Sequence, residues 1–154
     1  MLVFVAYAGS KLELNPGETI EAQKLYSPSA IFSKRLKYAK SITTKDKIFI
    51  LSAKYGLVKL NDKLEYYDLY LGKQSEIYKY KTNKVINQMK EQNIDFNEEV
   101  YFAAGKEYYK GLKSYFKNSK FEIDEVKKDL GRSGIGMSLK YYDIKNGVKK
   151  NEEC

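Results

Sequence analysis

Short continuous apolar runs alternate with helical periodicities along this chain. Leu2 to Ala6, LVFVA, is the run of a strand buried on both faces, and it ends in the small-residue turn YAGSK. Residues 12–24 carry Asn15, Pro16 and Gly17 and read as an irregular loop. A helix is predicted from SPSAIF: Ser27 or Ser29 can cap it, Pro28 suits an early position, and Ile31, Leu36 and Ala39 recur at roughly helical spacing. The alternation then repeats. KIFILS, 47–52, is a second buried strand, and residues 75–92 form a helix with Ile77, Val85, Ile86 and Met89 on its apolar side. EVYFAAG, 99–105, is a third strand, followed by a helix over KEYYKGLKSYFK that packs through Tyr108, Leu112, Tyr115 and Phe116. FEIDEV is a weaker fourth strand, and GRSGIGMSLKYYDIKNG starts on glycines and becomes helical from about Gly136. The tail VKKNEEC, 148–154, is polar and expected to fray.

This order predicts a single α/β domain over residues 1–147, with a mainly parallel central sheet of about four strands flanked by helices. No internal repeat, low-complexity block or linker divides it. The 43% hydrophobic and 14% aromatic fractions exclude the disordered class, and 154 residues are enough for a real core. No apolar run approaches the roughly 20 residues of a membrane span, and MLVFVAYAG is too short and lacks the basic start of a signal peptide. With Cys154 the only cysteine, there is no disulfide framework, and a cytoplasmic protein without membrane contact is expected.

Histidine is absent, which removes Ser-His and Cys-His triads, His-ligated zinc and imidazole acid–base catalysis together. Any chemistry must rest on carboxylates, Lys, Tyr, Ser or backbone amides, so no metal and no cofactor is expected. The net charge of +8 makes nucleic acid a natural partner class. The basic residues are nearly all lysine, with only Arg35 and Arg132, and an A- and T-rich coding sequence would give the same composition, so charge alone does not select the partner.

Ligands of open α/β sheets bind outside the carboxyl ends of the strands. To that rim the first strand delivers Tyr7, Gly9, Ser10 and Lys11, the second Ser52, Lys54, Tyr55 and Gly56, and the third Gly105 and Lys106. Gly131, Arg132, Gly134 and Gly136 follow the fourth. A tight turn is the plain explanation of Gly56. GRSGIGMS resembles a phosphate-cradling loop, but no Gly-Lys-Ser/Thr follows and it stands in the wrong place for a dinucleotide fingerprint, which favours a helix-entry turn. Between residues 62 and 70 the chain crowds Asp62, Glu65, Tyr66, Tyr67, Asp68 and Tyr70. A solvated turn explains Asp62 well but EYYDLY less well, because two adjacent tyrosines place one ring inward. A carboxylate beside tyrosines in a cleft can position water or stabilise a developing cation, which makes Asp62 and Asp68 the candidate acids.

VFVAYAGSK, LYSPSAIF (Leu25 to Phe32), ILSAKYGLVKLNDKLEYYD and GRSGIGMSL resemble, in order, the recurring features of a little-characterised bacterial and phage domain family. Those features are a strand with a Cys/Ser/Lys-containing turn, LYxSxxF, ILSAKYGL followed by an acidic position and YD, and a GxGxG-like helix entry. Tyr7 stands where that pattern has a cysteine. The family in turn is similar to the YaaA-like peroxide-stress proteins, which are associated with DNA binding and whose LYGLLxPxDxIxPYRLEMG region parallels residues 54–72. It is also similar to the uracil-DNA glycosylase-like superfamily, an α/β fold with compact relatives associated with excision of modified bases from phage DNA.

The resemblance implies a DNA glycosylase-like enzyme that cleaves the N-glycosidic bond of a flipped, modified base, with DNA as its partner and phage defence as a setting. In that scheme Asp68 or Asp62 stabilises the oxocarbenium-like sugar and positions water, while Ser52, Lys54 and Tyr55 hold the base or the adjacent phosphate. Lys11, Lys106 and Arg132 take backbone phosphates, and Ser10, Gly56, Tyr67 and Gly105 complete the binding wall. Uracil-type enzymes often use a histidine near the leaving base, so ordinary uracil excision is disfavoured here. Two other readings stay open: a non-catalytic YaaA-like DNA-binding protein, with Asp62 and Asp68 tying the loop to backbone amides, and a binder of nucleotide-like small molecules at the same strand ends.

Overall fold

The computed structural model describes residues 1–67 and 75–147, and the side chains of all of these except 75–81. The frayed tail expected at 148–154, the candidate acid Asp68 and the apolar contact of Ile77 lie outside what is described. Strand β1, Leu2–Ala6, occupies the middle of the sheet, between β3, Ile48–Ser52, and β6, Val100–Ala103. Both pairings are parallel, with Val5 opposite Ile50 on one side and Ala103 on the other. Five buried residues in a row leave β1 no solvent face, and the apolar run LVFVA satisfies that position.

Side chains alternate across β1, and each set starts its own core layer. Val3 and Val5 pack with Ile48, Ile50, Leu25, Phe32, Leu36 and Ala39. These last residues come from α1, Ala22–Leu25, and α2, Ala30–Ile42. Leu2 and Phe4 face the other way, onto Phe49, Leu51, Phe102, Leu112 and Phe116 and onto Val85, Ile86 and Met89 of α3, Ser75–Glu91. Each fully buried apolar side chain contributes roughly 1.5–3 kcal/mol, so these two layers dominate the stability. The cap of α2 is Ser29, whose Oγ accepts the Phe32 amide at 3.2 Å, and the alternative Ser27 is left outside the helix.

The predicted α/β domain is present, with one more strand than expected. The order is β4-β3-β1-β6-β7, in which β7 is Ser119–Phe121 and β4, Gly56–Lys59, returns antiparallel beside β3 as a hairpin edge. A short ribbon pairs β2, Ile20–Glu21, with β5, Lys63–Leu64, so the stretch 12–24 is less irregular than its composition suggested.

Two further expectations are corrected. FEIDEV is mostly helix: β7 is Ser119–Phe121, and α5 runs from Glu122 to Leu130. Phe121 and Ile123 imitate strand alternation, but acids fill the first turn of α5, lysines fill the last, and Gly131 closes it at φ +84°. KEYYKGLKSYFK is not one helix either. The short α4, Lys106–Tyr109, stops before Gly111, and a single 3-10 turn follows at Lys113–Tyr115. A Cβ on Gly111 would lie 2.7 Å from the Thr82 hydroxyl, so only glycine lets the chain approach α3 this closely. Leu112 and Phe116 are buried as predicted, whereas Tyr115 is exposed. The last helix, α6, spans Ile135–Lys145. No helix among the described residues is long and apolar enough to cross a membrane.

Candidate functional site

Because β1, β3 and β6 are parallel, their carboxyl ends open on the same side, and the segments that leave them form one rim. At its centre is a buried triangle of hydroxyls. Tyr26 and Tyr67 share a hydrogen bond of 2.6 Å between phenol oxygens, Tyr26 donates to Ser52 Oγ at 3.2 Å, and Ser52 Oγ lies 3.1 Å from the Tyr67 hydroxyl. A backbone amide feeds the same triangle: the Tyr55 N–H donates to Ser52 Oγ at 3.1 Å. Burial drives the Tyr26 phenol well above its usual ionisation range and raises that of Tyr67 as well, the latter held back by its bonds with Ser52 and Tyr26. Both phenols are therefore neutral hydrogen-bonding groups around neutral pH.

Of the two adjacent tyrosines, Tyr67 is the inward one, 6% exposed, and Tyr66 the outward one at 42%. The Lys11 ammonium stands 4.5 Å from the Tyr67 ring centroid and 6.0 Å from that of Tyr66, and donates to the Gly9 carbonyl at 3.2 Å. Tyr55 meets the Tyr67 ring edge-on at 5.7 Å, with Lys54 Nζ 5.3 Å from the Tyr55 centroid. On the β1 side, the Tyr7 ring is 6.4 Å from Tyr26 and meets Tyr108 edge-on at 5.5 Å. The result is an aromatic floor with a cation beside it. It suits a flat, polar-edged ligand with negative charge attached.

The turn that carries Ser52 to Tyr55 is held from α3. Gln88 accepts the Leu57 amide at 2.8 Å and donates to the Tyr55 carbonyl at 3.0 Å, spanning the tight bend at Gly56, where φ is +74°. Gly56 thus has the turn role its sequence position suggested. Gly105 precedes α4, and Lys106 and Ser10 are exposed on the rim.

Two of the sequence-predicted residues lie elsewhere. The hairpin carries the chain away from the rim, with Lys59 opposite Phe49 near the amino end of β3. Asp62 closes the next turn: its Oδ2 accepts the Lys59 amide at 2.8 Å, and its carbonyl accepts the Ala22 amide at 2.8 Å. The structure therefore puts Asp62 at the opposite end of the sheet from Ser52, and β5 brings the chain back to Tyr67. Arg132 sits in the turn between α5 and α6, its Nε on Met137 Sδ at 3.3 Å, and among the described residues no hydrogen bond joins it to the hydroxyl triangle.

A second polar cluster had no counterpart in the sequence reading. Arg35 on α2 donates through Nε and Nη2 to the two Glu122 oxygens, at 2.7 Å each. Ser138 and Tyr142 of α6 donate to the same carboxylate at 3.0 and 2.5 Å, and Tyr142 shares a 2.7 Å bond with Tyr101 of β6. Burial opposes the Arg35 charge, and Glu122 outweighs it, so the guanidinium stays protonated. Sequence reasoning had no signal for a pair separated by 87 positions. Tyr26, by contrast, was visible within LYSPSAIF and was not recognised as a site residue.

Among the described residues no group of three or more His, Cys, Asp or Glu side chains is arranged to hold a metal ion. No curated protein matches the chain. One family model does, over residues 2–144, a span that takes in all the strands described above, the hydroxyl triangle and nearly all of α6. On that match the chain belongs to DUF6884, a family of unknown function.

Proposed function

We propose that this protein is a DNA glycosylase-like hydrolase of the cytoplasm, a relative of the uracil-DNA glycosylase-like and YaaA-like groups, which removes a modified base flipped out of DNA. The observation that carries the reading is the Lys11–Tyr67 pair on the hydroxyl triangle, with Asp68 the next residue in sequence. The half-buried ring of Tyr55, set against the buried Tyr67, offers a face for a flipped base, and the Lys11 ammonium offers charge to its phosphate or to the departing base. In the reaction the C1′–N bond breaks and its electron pair leaves with the base. Asp68 stabilises the oxocarbenium-like sugar and takes a proton from the water whose oxygen bonds C1′. Neutral phenols can donate hydrogen bonds to the leaving base and the Lys11 ammonium can supply its proton, a task that uracil-type enzymes often give to histidine.

A second reading has one specific observation in its favour. Asp62 binds a backbone amide and ties a turn, as the non-catalytic DNA-binding alternative expects of both acids. The two readings separate in a base-release assay. Genomic DNAs, unmodified and carrying phage-type modified bases, are incubated with the protein, and freed bases are detected by mass spectrometry. Wild type should release a base, Asp68→Asn should lose release by about 100-fold or more, and Asp62→Asn should retain it. Silence across the panel, with salt-sensitive DNA binding intact, would replace the enzyme with the binding protein.

A further inference from the structure

The rim has a flank of which the catalytic reading uses only Lys54 and Lys106. Lys84 on α3 donates from Nζ to the Lys54 carbonyl at 3.4 Å, so the middle of α3 stands against the β3–β4 turn. Two residues earlier, Thr82 meets Gly111, where an added Cβ would lie 2.7 Å from the Thr82 hydroxyl. Gly111 lies between Lys110 and Leu112, and Lys110 closes one backbone turn on Lys106 at 3.1 Å. Lys113 follows at the start of the 3-10 turn. Lys54, Lys84, Lys106, Lys110 and Lys113 thus follow one continuous line of contact from the rim along the seam between α3 and the β6–β7 connection, and all five are exposed.

The charge on this seam is not offset by ion pairs among the described residues. Among the described residues none of the five lysines forms a salt bridge, whereas Lys34, Lys47, Lys120 and Lys145 on other parts of the surface pair with Asp143, Glu98, Glu99 and Asp129. Glu107 is the only acid between residues 106 and 117, and its carboxylate folds back toward Gly105. Close approach of Gly111 to the Thr82 side chain of α3 keeps the two ridges of lysine together.

We propose that this lysine seam is the track for the DNA backbone leading into the rim. The inference rests on the DNA reading above but not on its chemistry, because a row of ammonium groups neutralises phosphates whether or not a base is cut. Each phosphate contact on duplex DNA contributes roughly 0.9 to the slope of log K against log salt. The triple variant Lys84→Gln/Lys110→Gln/Lys113→Gln should therefore flatten that slope by about 2.7 and weaken binding on the order of 100-fold near 0.1 M salt. A matched control removes the same charge elsewhere: Lys127→Gln/Lys128→Gln on α5 with Lys140→Gln on α6, all exposed. Its slope should stay within about 1 of wild type.

The test is a fluorescence-anisotropy titration of a duplex oligonucleotide at several salt concentrations, with circular dichroism to check folding and Lys→Arg at the three seam positions as a charge-preserving rescue. Loss confined to the seam triple and restored by arginine supports the track. Equal losses in both triples, or in neither, overturn it, as does a wild-type chain with no DNA affinity. Base release at saturating DNA is read in parallel. A wild type that binds through the seam and frees no base refutes the glycosylase and keeps the track, while release that persists with a salt slope indifferent to the seam does the reverse.

Discussion

At the scale of single residues, the site depends on side chains that fix a backbone bend. Gly56 is the clearest case. Its φ of +74° lies in the left-handed region, which costs a residue with a Cβ about 1–2 kcal/mol. The Cβ would also fall 2.3 Å from Gln88 Oε1, displacing the side chain that accepts from Leu57 and donates to Tyr55. Each lost hydrogen bond removes about 0.5–1.5 kcal/mol net. Gly56→Ala should therefore lower stability by about 2–4 kcal/mol in urea unfolding, whereas Gly9→Ala, with open space around its Cβ position and no positive φ, should stay within about 1 kcal/mol. Matching midpoints for the two variants would show that the Gln88 clamp does not hold the turn. Tyr67 makes the same point about orientation. Its inward ring was readable from the pairing with Tyr66, but its partners Tyr26 and Ser52 stand 41 and 15 positions away and meet only in the fold.

At the scale of elements, legibility followed the range of the interaction that decides each one. Three buried strands and the helix over 75–91 announce themselves by apolar runs and local periodicity, and Ser29 caps α2 through a bond three residues away. FEIDEV misled because Phe121 and Ile123 alternate, while the helix is set by Val126, buried against Tyr141 and Tyr142 of α6, and by the Glu122 carboxylate among donors from α2 and α6. Helix α4 ends before Gly111, and Gly111 packs against Thr82 of another element, a contact that no local pattern could reveal.

The same long-range character makes the Glu122 cluster consequential: it ties α2, α5 and α6 together below the rim. Arg35 and Glu122 are only 7% and 4% exposed, so Glu122→Gln leaves a buried guanidinium without its counter-charge and should cost about 3–5 kcal/mol. Replacing both partners with apolar residues, Arg35→Met/Glu122→Leu, should cost clearly less than the two single changes together. A double-mutant cycle in urea reads this directly, and simple additivity would mean that the pair is not coupled.

At the scale of the whole molecule, the composition that removes one pH response creates another. With no histidine, no side chain of the common switching type titrates between about pH 6 and 8. Tyrosine takes over at alkaline pH. Burial raises the ionisation of Tyr26, Tyr67, Tyr101, Tyr108 and Tyr142 above the ordinary phenol range, so these groups keep their protons in the folded chain at pH values where the unfolded chain has lost them. Above about pH 10 the unfolded state then binds fewer protons than the folded one, and stability must fall as pH rises. The contribution is complete below the unfolded phenol value of about 10 and is lost on the climb toward the folded values. One such tyrosine contributes about 1.36 kcal/mol per pH unit, and five together about 7 kcal/mol per unit, against a total stability of about 5–15 kcal/mol for a domain. These tyrosines come from the rim, from β6 and from both helical layers, so no single layer can release its phenols while the rest of the sheet stays closed. The expected result is one cooperative transition between about pH 10 and 12. Loss of far-ultraviolet circular dichroism should coincide with the late rise in phenolate absorbance, after a flat plateau from neutral pH. Complete phenolate formation with the circular dichroism unchanged would mean that water reaches the hydroxyl triangle and the Glu122 cluster in the folded state, and that the aromatic floor is not a closed one.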